Sequence, residues 1–387
     1  MKIALLAITA ITCCAISSSA QDQPKIKFGA VTAQDLSRKI YSVDSSAEAV
    51  IIADIGTSQI VGNNKGWFSI EHKHYRRAHI LSKNAFDIAN VSILLYTDGS
   101  AEESLEKLKA VTYNLEDGKV VESRLDTKGG VFKDKLDKYF TVRKFTMPNV
   151  KEGSIIEYEY TTTSEFLGNM PDWSFQGGYP RLWSEYNLTM PEFFRYAFLT
   201  QGYKKYDISD KKDRRETFTV SDITNVGASG REQFSANVSD YRWVMKDVPV
   251  LKEEAFTSSI ENHVAKLDFQ LVEKKFPLQY KMYMGSWQNV ANNLLQSEYF
   301  GDQLNKDNPW LKEVLAELKG DNADKLTLAK RIYGWVRDNI TCTDKTALFM
   351  QQPLKNVLKT KSGNVAEVNL LLTAMLENYA RPRPMLP

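Results

Sequence analysis

The order of hydrophobic and polar residues divides the chain into two parts. From about residue 26 to 275, short apolar runs alternate with polar positions and end at turn residues, which is the pattern of β-strands. The sequence Glu116-Asp117-Gly118 lies between two such runs and predicts a tight hairpin. Many short strands joined by turns favour an antiparallel β-sandwich. Within this part we predict one short helix, over residues 102–110.

After Pro277 the spacing changes to that of helices. Apolar residues recur three and four positions apart in segments 287–299, 309–318 and 323–340. The boundary between the two parts therefore falls near residues 275–286. We predict an α+β protein, with a β-sandwich domain over residues 21–280 and a helical domain over residues 281–387.

The best-defined helix follows Gly363. Asn364 is a favourable N-cap, and Glu367, three residues later, completes the sequence of a capping box. The apolar positions that follow have helical spacing: Val365, Val368, Leu371, Leu372, Met375 and Leu376. The N-terminus of a helix stabilises negative charge, so a cysteine in this first turn would be an activated nucleophile.

The sequence Gly363-Asn364-Val365-Ala366-Glu367 resembles a known catalytic motif. Transglutaminase-like enzymes of the papain-type superfamily present their nucleophile as Gly-x-Cys-x-Asp/Glu before an apolar helix, and here Val365 stands at the position of the cysteine. Residues 332–340 resemble the same domain. Residues 173–176, 182–186 and 247–254 resemble the β-rich domain of unknown function that precedes it in a family of exported bacterial proteins.

The resemblance implies a degenerate, incomplete domain. Enzymes of this family pair the cysteine with a histidine and an aspartate located after the nucleophile helix. Here all four histidines (His72, His74, His79 and His263) precede the helix, and the chain ends at Pro387. We therefore expect a protein with no catalytic, cofactor-binding or metal-binding residues. Two alternatives stay open: a thiol hydrolase or acyltransferase that uses Cys342 or a partner chain, and a truncated fragment of an enzyme.

Residues 1–20 have the pattern of a secretory signal peptide. Lys2 precedes an apolar stretch over residues 3–16, and Ser18-Ser19-Ala20 resembles a cleavage site. Of the three cysteines only Cys342 lies outside this segment, so the mature chain forms no internal disulfide. We expect a location in the bacterial periplasm or at the cell surface, without a transmembrane segment.

The charge of the chain is close to neutral. Fifty basic residues minus 48 acidic ones leave +2, without a basic stripe, which argues against nucleic-acid binding. The expected partner is therefore a peptide, a polysaccharide or a protein of the cell envelope.

Four further features have both a functional and a structural interpretation. Cys342 could be a nucleophile, but we predict a partly buried, inert thiol. His72 and His74 lie two positions apart on a predicted strand, so their side chains face the same way and could bind a metal. Glu71 and His79 face the other side of the strand, which leaves no third ligand. We therefore predict that the two histidines are surface residues. For Glu367 we predict capping rather than acid–base chemistry. The aromatic residues of segment 171–186 could stack on a sugar or peptide, but we predict that they fill the core.

Overall fold

The computed structural model describes residues 26–63, 68–221, 231–252, 254, 259–320 and 324–380. The chain forms two compact units, Met1–Tyr283 (unit 1) and Met284–Pro387 (unit 2). The predicted signal peptide, residues 1–20, lies outside the described residues. Unit 1 is built mainly from strands and unit 2 mainly from helices, so the prediction of an α+β fold is confirmed.

Unit 1 contains long strands joined by short connections. Its strands are β1 Ala49–Gly62, β2 Phe68–Ile80, β3 Asn90–Tyr96, β4 Ser104–Glu116, β5 Lys119–Arg124, β6 Phe132–Lys135, β7 Phe140–Thr146, β8 Ile155–Ser164, β9 Trp173–Ser174, β10 Arg181–Pro191, β11 Phe194–Gln201, β12 Ile208–Ser221, β13 Arg231–Val248, β14 Lys266–Lys274 and β15 Lys281–Met282. Its helical segments are α1 Ala33–Ser37 and the 3-10 helices Lys83–Ala89 and Ile260–Asn262.

The strands form one large and two small sheets. In the described part of unit 1 the large sheet has the order β12-β13-β10-β1-β2-β8-β4-β5. The small sheets are β3-β7-β6 and β11-β14-β15, the latter with β9 paired to β14. β1 and β10 are parallel, whereas the other pairings of unit 1 are antiparallel. Asp117 and Gly118 both have positive φ in the β4–β5 turn, as the predicted tight hairpin requires.

Two separate hydrophobic cores lie between the large sheet and the small sheets. The first joins the large sheet to β11 and β14 and includes Ile70, Tyr186, Phe194 and Leu267. The second joins the large sheet to β3 and β7 and includes Ala78, Ile93, Phe145 and Tyr158. The aromatic residues of segments 171–176 and 180–186 are buried, as predicted: Trp173, Phe175, Trp183 and Tyr186.

The predicted helix over residues 102–110 is wrong, because residues 104–110 belong to strand β4. The register between β4 and β8 shifts between Glu106 and Lys109, and Lys107 has a positive φ of 52°. A bulge of this kind places residues three positions apart on the same face. Leu105 and Leu108 therefore both pack against the second core, which imitates helical spacing.

Unit 2 contains short helices around a third core. Its elements are α2 Trp287–Gln296, α3 Asp302–Asn305, the 3-10 helix Pro309–Leu311, α4 Lys312–Lys319, α5 Lys325–Asn339, β16 Thr341–Cys342, α6 Leu354–Thr360, β17 Ser362–Gly363 and α7 Val365–Ala380. β16 and β17 pair in parallel. None of the described helices has the length and apolar character that crossing a membrane requires.

Helix α7 lies at the centre of this third core. Leu370, Leu371, Ala374 and Met375 are buried in it, together with residues of α5 and α6. Val368, Leu372 and Leu376, which the sequence placed on the apolar face, are half-buried. The buried face is therefore rotated from the predicted one, and the helix has a partner within unit 2.

Candidate functional site

The start of α7 is fixed by a reciprocal pair of hydrogen bonds. The backbone N–H of Glu367 donates to Oδ1 of Asn364 at 2.9 Å, and the backbone N–H of Asn364 donates to Oε2 of Glu367 at 2.9 Å. The predicted capping box is therefore present. The Asn364 side chain also donates to the carbonyl of Phe349 at 3.0 Å, which ties the preceding loop to the helix.

The Glu367 carboxylate is part of the structure around the helix start. The residue is buried, with 2% of its surface exposed. Besides Asn364 it accepts hydrogen bonds from the backbone N–H groups of Gln351 (2.7 Å) and Gln352 (3.0 Å) and from the Gln352 side chain (3.3 Å). A carboxylate with this many donors holds the 351–352 loop rather than acting as an open acid or base.

Gly363 permits the close packing at this point. A Cβ at this position would lie 2.8 Å from Oε2 of Glu367 and 2.9 Å from Cγ1 of Val357, distances that real Cβ atoms essentially never show. The glycine of the motif is thus required because the buried carboxylate and α6 approach the backbone closely.

Val365 is the first residue of α7. Its backbone N–H donates to the carbonyl of Asp344 at 2.7 Å, and the residue is half-buried. The position expected for a nucleophile therefore carries an isopropyl group, held by the backbone in the first helical turn.

Cys342 lies on the strand that pairs with the helix start. It is directly opposite Gly363 in the β16–β17 ladder, and its thiol donates to the carbonyl of Asp344 at 3.4 Å. The thiol is exposed, so the predicted partial burial is wrong. The two-residue strand β16 lies at the surface, and both of its residues are exposed. Sequence spacing alone could not show that residues 342 and 363 are neighbours.

Residues 312–379, which run from the start of α4 to the last turn of α7, match the family model of the Transglutaminase-like superfamily. This segment is a transglutaminase-like domain. The match covers the helix start described above and places Val365 and the capping box inside the domain. No protein in the curated sequence comparison matches the chain.

The structural comparison gives a fold relationship over most of the chain. A "putative protease" from Parabacteroides distasonis aligns with a TM-score of 0.52 and 14% identity, over 87% of this chain and 59% of its own. The chain thus spans somewhat more than half of that protein, and at this identity the similarity shows the fold alone. A "putative nutrient binding protein" from Legionella pneumophila aligns with 10% identity over 86% of this chain and 95% of its own. Its TM-score of 0.21 is too low to support an argument.

The transglutaminase-like domain does not contain the histidines, which all lie in unit 1. His72 and His74 were predicted to be surface residues, and this prediction is wrong. They lie on β2, between β1 and β8, and point to the inner face of the large sheet. Along this face β2 carries Ile70 in the first core and Ala78 in the second. The two histidines therefore lie on the strip of the sheet between the two cores.

A network of buried charges surrounds His74. Asp54 is fully buried and receives hydrogen bonds from Nε and Nη2 of Arg76, at 3.0 and 2.7 Å, and from Nη1 of Arg181 at 2.8 Å. Nε2 of His74 lies 2.7 Å from Asp54, and its Nδ1 lies 2.9 Å from the hydroxyl of Tyr160. Burial opposes the charge of Asp54, but the two guanidinium groups hold its pKa well below the ordinary value.

His72 forms a second, neutral pair. Its Nδ1 lies 2.8 Å from the hydroxyl of Ser58, which also receives a hydrogen bond from Tyr186 at 2.7 Å. Burial lowers the pKa of His72 to about 3, so the ring is uncharged at neutral pH. Ser58 is fully buried and therefore cannot reach a substrate, which excludes a Ser–His nucleophile here.

No metal site is formed by these groups. Among the described residues, no three His, Cys, Asp or Glu side chains are arranged to hold a metal ion. Glu71 and His79 point to the opposite face of β2 from His72 and His74, as their parity predicted. The sequence could not reveal the charge network, because its members come from β1, β2 and β10.

Proposed function

We propose that this protein is an exported, non-catalytic binding protein of the bacterial cell envelope, in which a degenerate transglutaminase-like domain has a structural role. The observation that carries the proposal is Val365 at the first position of α7. An isopropyl group has no lone pair with which to attack an acyl carbon. The helix N-terminus that would stabilise a thiolate is kept, while the group that it would activate is not.

The neighbouring polar groups support this interpretation. The side chain of Asn364 is used for capping and for holding Phe349, and the carboxylate of Glu367 is used for the 351–352 loop. Both residues therefore have structural tasks that explain their presence.

The location and the partner rest on the sequence. Lys2, the apolar stretch 3–16 and the small residues before Gln21 support export by a signal peptide. The proposed partner is a peptide, polysaccharide or protein that is accessible in the periplasm or at the cell surface.

An activity assay tests the proposal. The full chain is incubated with glutamine-containing peptides and a primary amine, and ammonia release and peptide cleavage are followed with time. We expect no turnover above buffer for the wild type, for Val365→Asp or for Cys342→Ser. If the wild type showed turnover and Val365→Asp abolished it, the start of α7 would be a working active site.

A thiol-dependent acyl transfer through Cys342 is the second candidate function. It is favoured by one observation, the exposed thiol directly opposite Gly363. Labelling with iodoacetamide at neutral pH tests it, with the same chain unfolded in denaturant as reference. Labelling of the folded protein that is no faster than that of the unfolded chain would remove this candidate. Labelling about tenfold faster would indicate an activated thiolate.

A further inference from the structure

A cleft of about 540 Å³ opens in unit 1 above the buried charge network. Its floor is the strip of the large sheet between the two cores, with His72, His74 and Arg76. One wall comes from β3 and β7 of the small sheet, and the other from residues 169–174, which include Trp173. This volume lies in the range of ordinary ligand pockets and fits a molecule the size of an amino acid or a dipeptide.

We propose that this cleft binds a zwitterionic ligand, an amino acid or a short peptide. Its carboxylate lies against Arg76 on the floor, and its ammonium group lies against the carboxylates of Asp172 and Glu103 on the walls. The inference rests on the proposed binding role and specifies the class of ligand.

The floor carries one uncompensated positive charge. Two guanidinium groups, Arg76 and Arg181, share the single carboxylate of Asp54, which leaves 2 − 1 = +1. Burial lowers the pKa of both His72 and His74, which disfavours a further positive charge on either ring. A net positive charge in a largely desolvated floor is stabilised by an anion in the cleft.

Arg76 is the group that can meet this anion. Its Nε and one N–H of Nη2 bind Asp54, which leaves three of its five N–H groups for the neighbouring hydroxyl of Tyr158 and for a ligand. Its guanidinium is fixed by the two bonds to Asp54, yet 25% of its side chain is exposed and it lines the cleft. Such a pre-positioned arginine is suited to a carboxylate.

His72 adds an uncharged polar group beside Arg76. Its Nδ1 is occupied by Ser58, so its Nε2 is the ring nitrogen left for the cleft that this residue lines. Thr162, opposite His72 on β8, lines the same part of the floor and carries a hydroxyl. Both groups can hydrogen-bond a ligand without changing the charge of the site.

The walls have the opposite charge from the floor. Glu103 and Asp172 both line the cleft, the first half-buried and the second exposed. Two wall carboxylates attract an ammonium group and repel a polyanion such as phosphate. A neutral sugar would leave both the positive floor and the negative walls unmatched. The separation of the two charges therefore favours a ligand that carries one of each sign.

Calorimetric titration of the full chain tests the inference. The common amino acids and a set of dipeptides are screened first, and the tightest binder is compared with its N-acetylated and C-amidated forms, with inorganic phosphate and with glucose. We expect a zwitterion to bind and each blocked form to bind about tenfold or more weakly. Binding of none of the zwitterions, or equal binding of phosphate or glucose, would overturn the inference.

Two pairs of variants locate the site. Leu94→Trp fills the cleft from a position that is 51% exposed and outside the charge network, and Leu199→Trp, at an equally exposed position of β11 away from the cleft, is its control. Arg76→Gln removes the floor charge, and Lys73→Gln changes a cation on the opposite face of the same strand. We expect weaker binding by about tenfold or more only in Leu94→Trp and Arg76→Gln. Unchanged binding in a folded Leu94→Trp variant would contradict the proposed location.

The outcome is distinguishable from a failure of the proposed function. Turnover of peptides that depends on Val365 would overturn the non-catalytic role, whatever unit 1 binds. Absence of turnover together with absence of zwitterion binding would overturn only the ligand class.

Discussion

Asn364 and Glu367 cap helix α7 by exchanging two hydrogen bonds of 2.9 Å each, one in each direction between backbone and side chain. The same carboxylate holds the loop at Gln351 and Gln352. In the proposed function, this helix start has the architecture that would position a nucleophile, and Val365 occupies the position that the resemblance assigns to the cysteine. The proposal leads to measurable consequences.

Replacing Glu367 by alanine should destabilise unit 2 strongly. The change leaves the N–H groups of Asn364, Gln351 and Gln352 without their acceptor in a buried place, and we expect a loss of about 3 kcal/mol in the free energy of unfolding. Chemical denaturation followed by helical circular dichroism measures it. Glu317→Ala on the exposed surface of α4 is the control and should have little effect. Equal effects of the two changes would contradict the role of Glu367.

Gly363→Ala should also destabilise unit 2. The added methyl would lie 2.8 Å from Oε2 of Glu367 and 2.9 Å from Cγ1 of Val357. We therefore expect a cost of about 2 kcal/mol. Gly334→Ala in α5 is the matched control, because no atom lies within 4 Å of its Cβ position. Removing a glycine from a helix interior should raise stability by about 0.5–1 kcal/mol. The midpoint temperature of thermal denaturation should therefore fall for Gly363→Ala and rise for Gly334→Ala.

A thiol introduced at Val365 should be acidic. In the Cys342→Ser background, Val365→Cys places sulfur in the first turn of α7, where the helix N-terminus stabilises a thiolate. Val368→Cys places it one turn later at a similarly half-buried position. The pH midpoint of alkylation should be about one unit lower for Val365→Cys than for Val368→Cys. Equal midpoints would show that the helix start no longer favours negative charge.

Unit 1 should lose stability as the pH falls below the pKa of an unfolded histidine. Burial lowers the folded-state pKa of His72 to about 3 and that of His79 to about 4, from an ordinary value of 6.5. Between these values the unfolded chain binds protons that the folded chain does not, so stability is present above about pH 6.5 and decreases with acidification. Denaturant unfolding, followed by tryptophan fluorescence at a series of pH values, measures the slope of the free energy of unfolding against pH.

The His72→Gln variant isolates one contribution to this slope. We expect it to reduce the stability lost between about pH 6 and pH 5 by about 1 kcal/mol relative to the wild type. If the stability of His72→Gln fell with pH as steeply as that of the wild type, the lowered pKa of this histidine would be contradicted.

Local features were predictable where neighbouring residues determine them. The β4–β5 hairpin follows from Asp117-Gly118, and the start of α7 follows from Asn364 and Glu367 three positions apart. Each of these signals lies within a few residues. The periodicity of the two parts of the chain likewise predicted the α+β fold.

Features that depend on distant pairing were missed. The bulge at Lys107 imitated helical spacing in β4, because the sequence carries no sign that two residues of β4, Lys107 and Leu108, oppose the single residue Tyr160 of β8. In isolation the pattern of His72 and His74 is typical of surface residues, since polar residues on a strand are usually solvated. Their burial follows from the arrangement of three sheets and from partners on β1, Asp54 and Ser58.

The central claim is that the helix start of the transglutaminase-like domain carries no nucleophile. The most direct measurement is the rate of ammonia release from a glutamine peptide and a primary amine, compared between the wild type and Val365→Asp. We predict that both rates equal that of buffer alone. A wild-type rate above buffer that disappears in a folded Val365→Asp variant would contradict the claim.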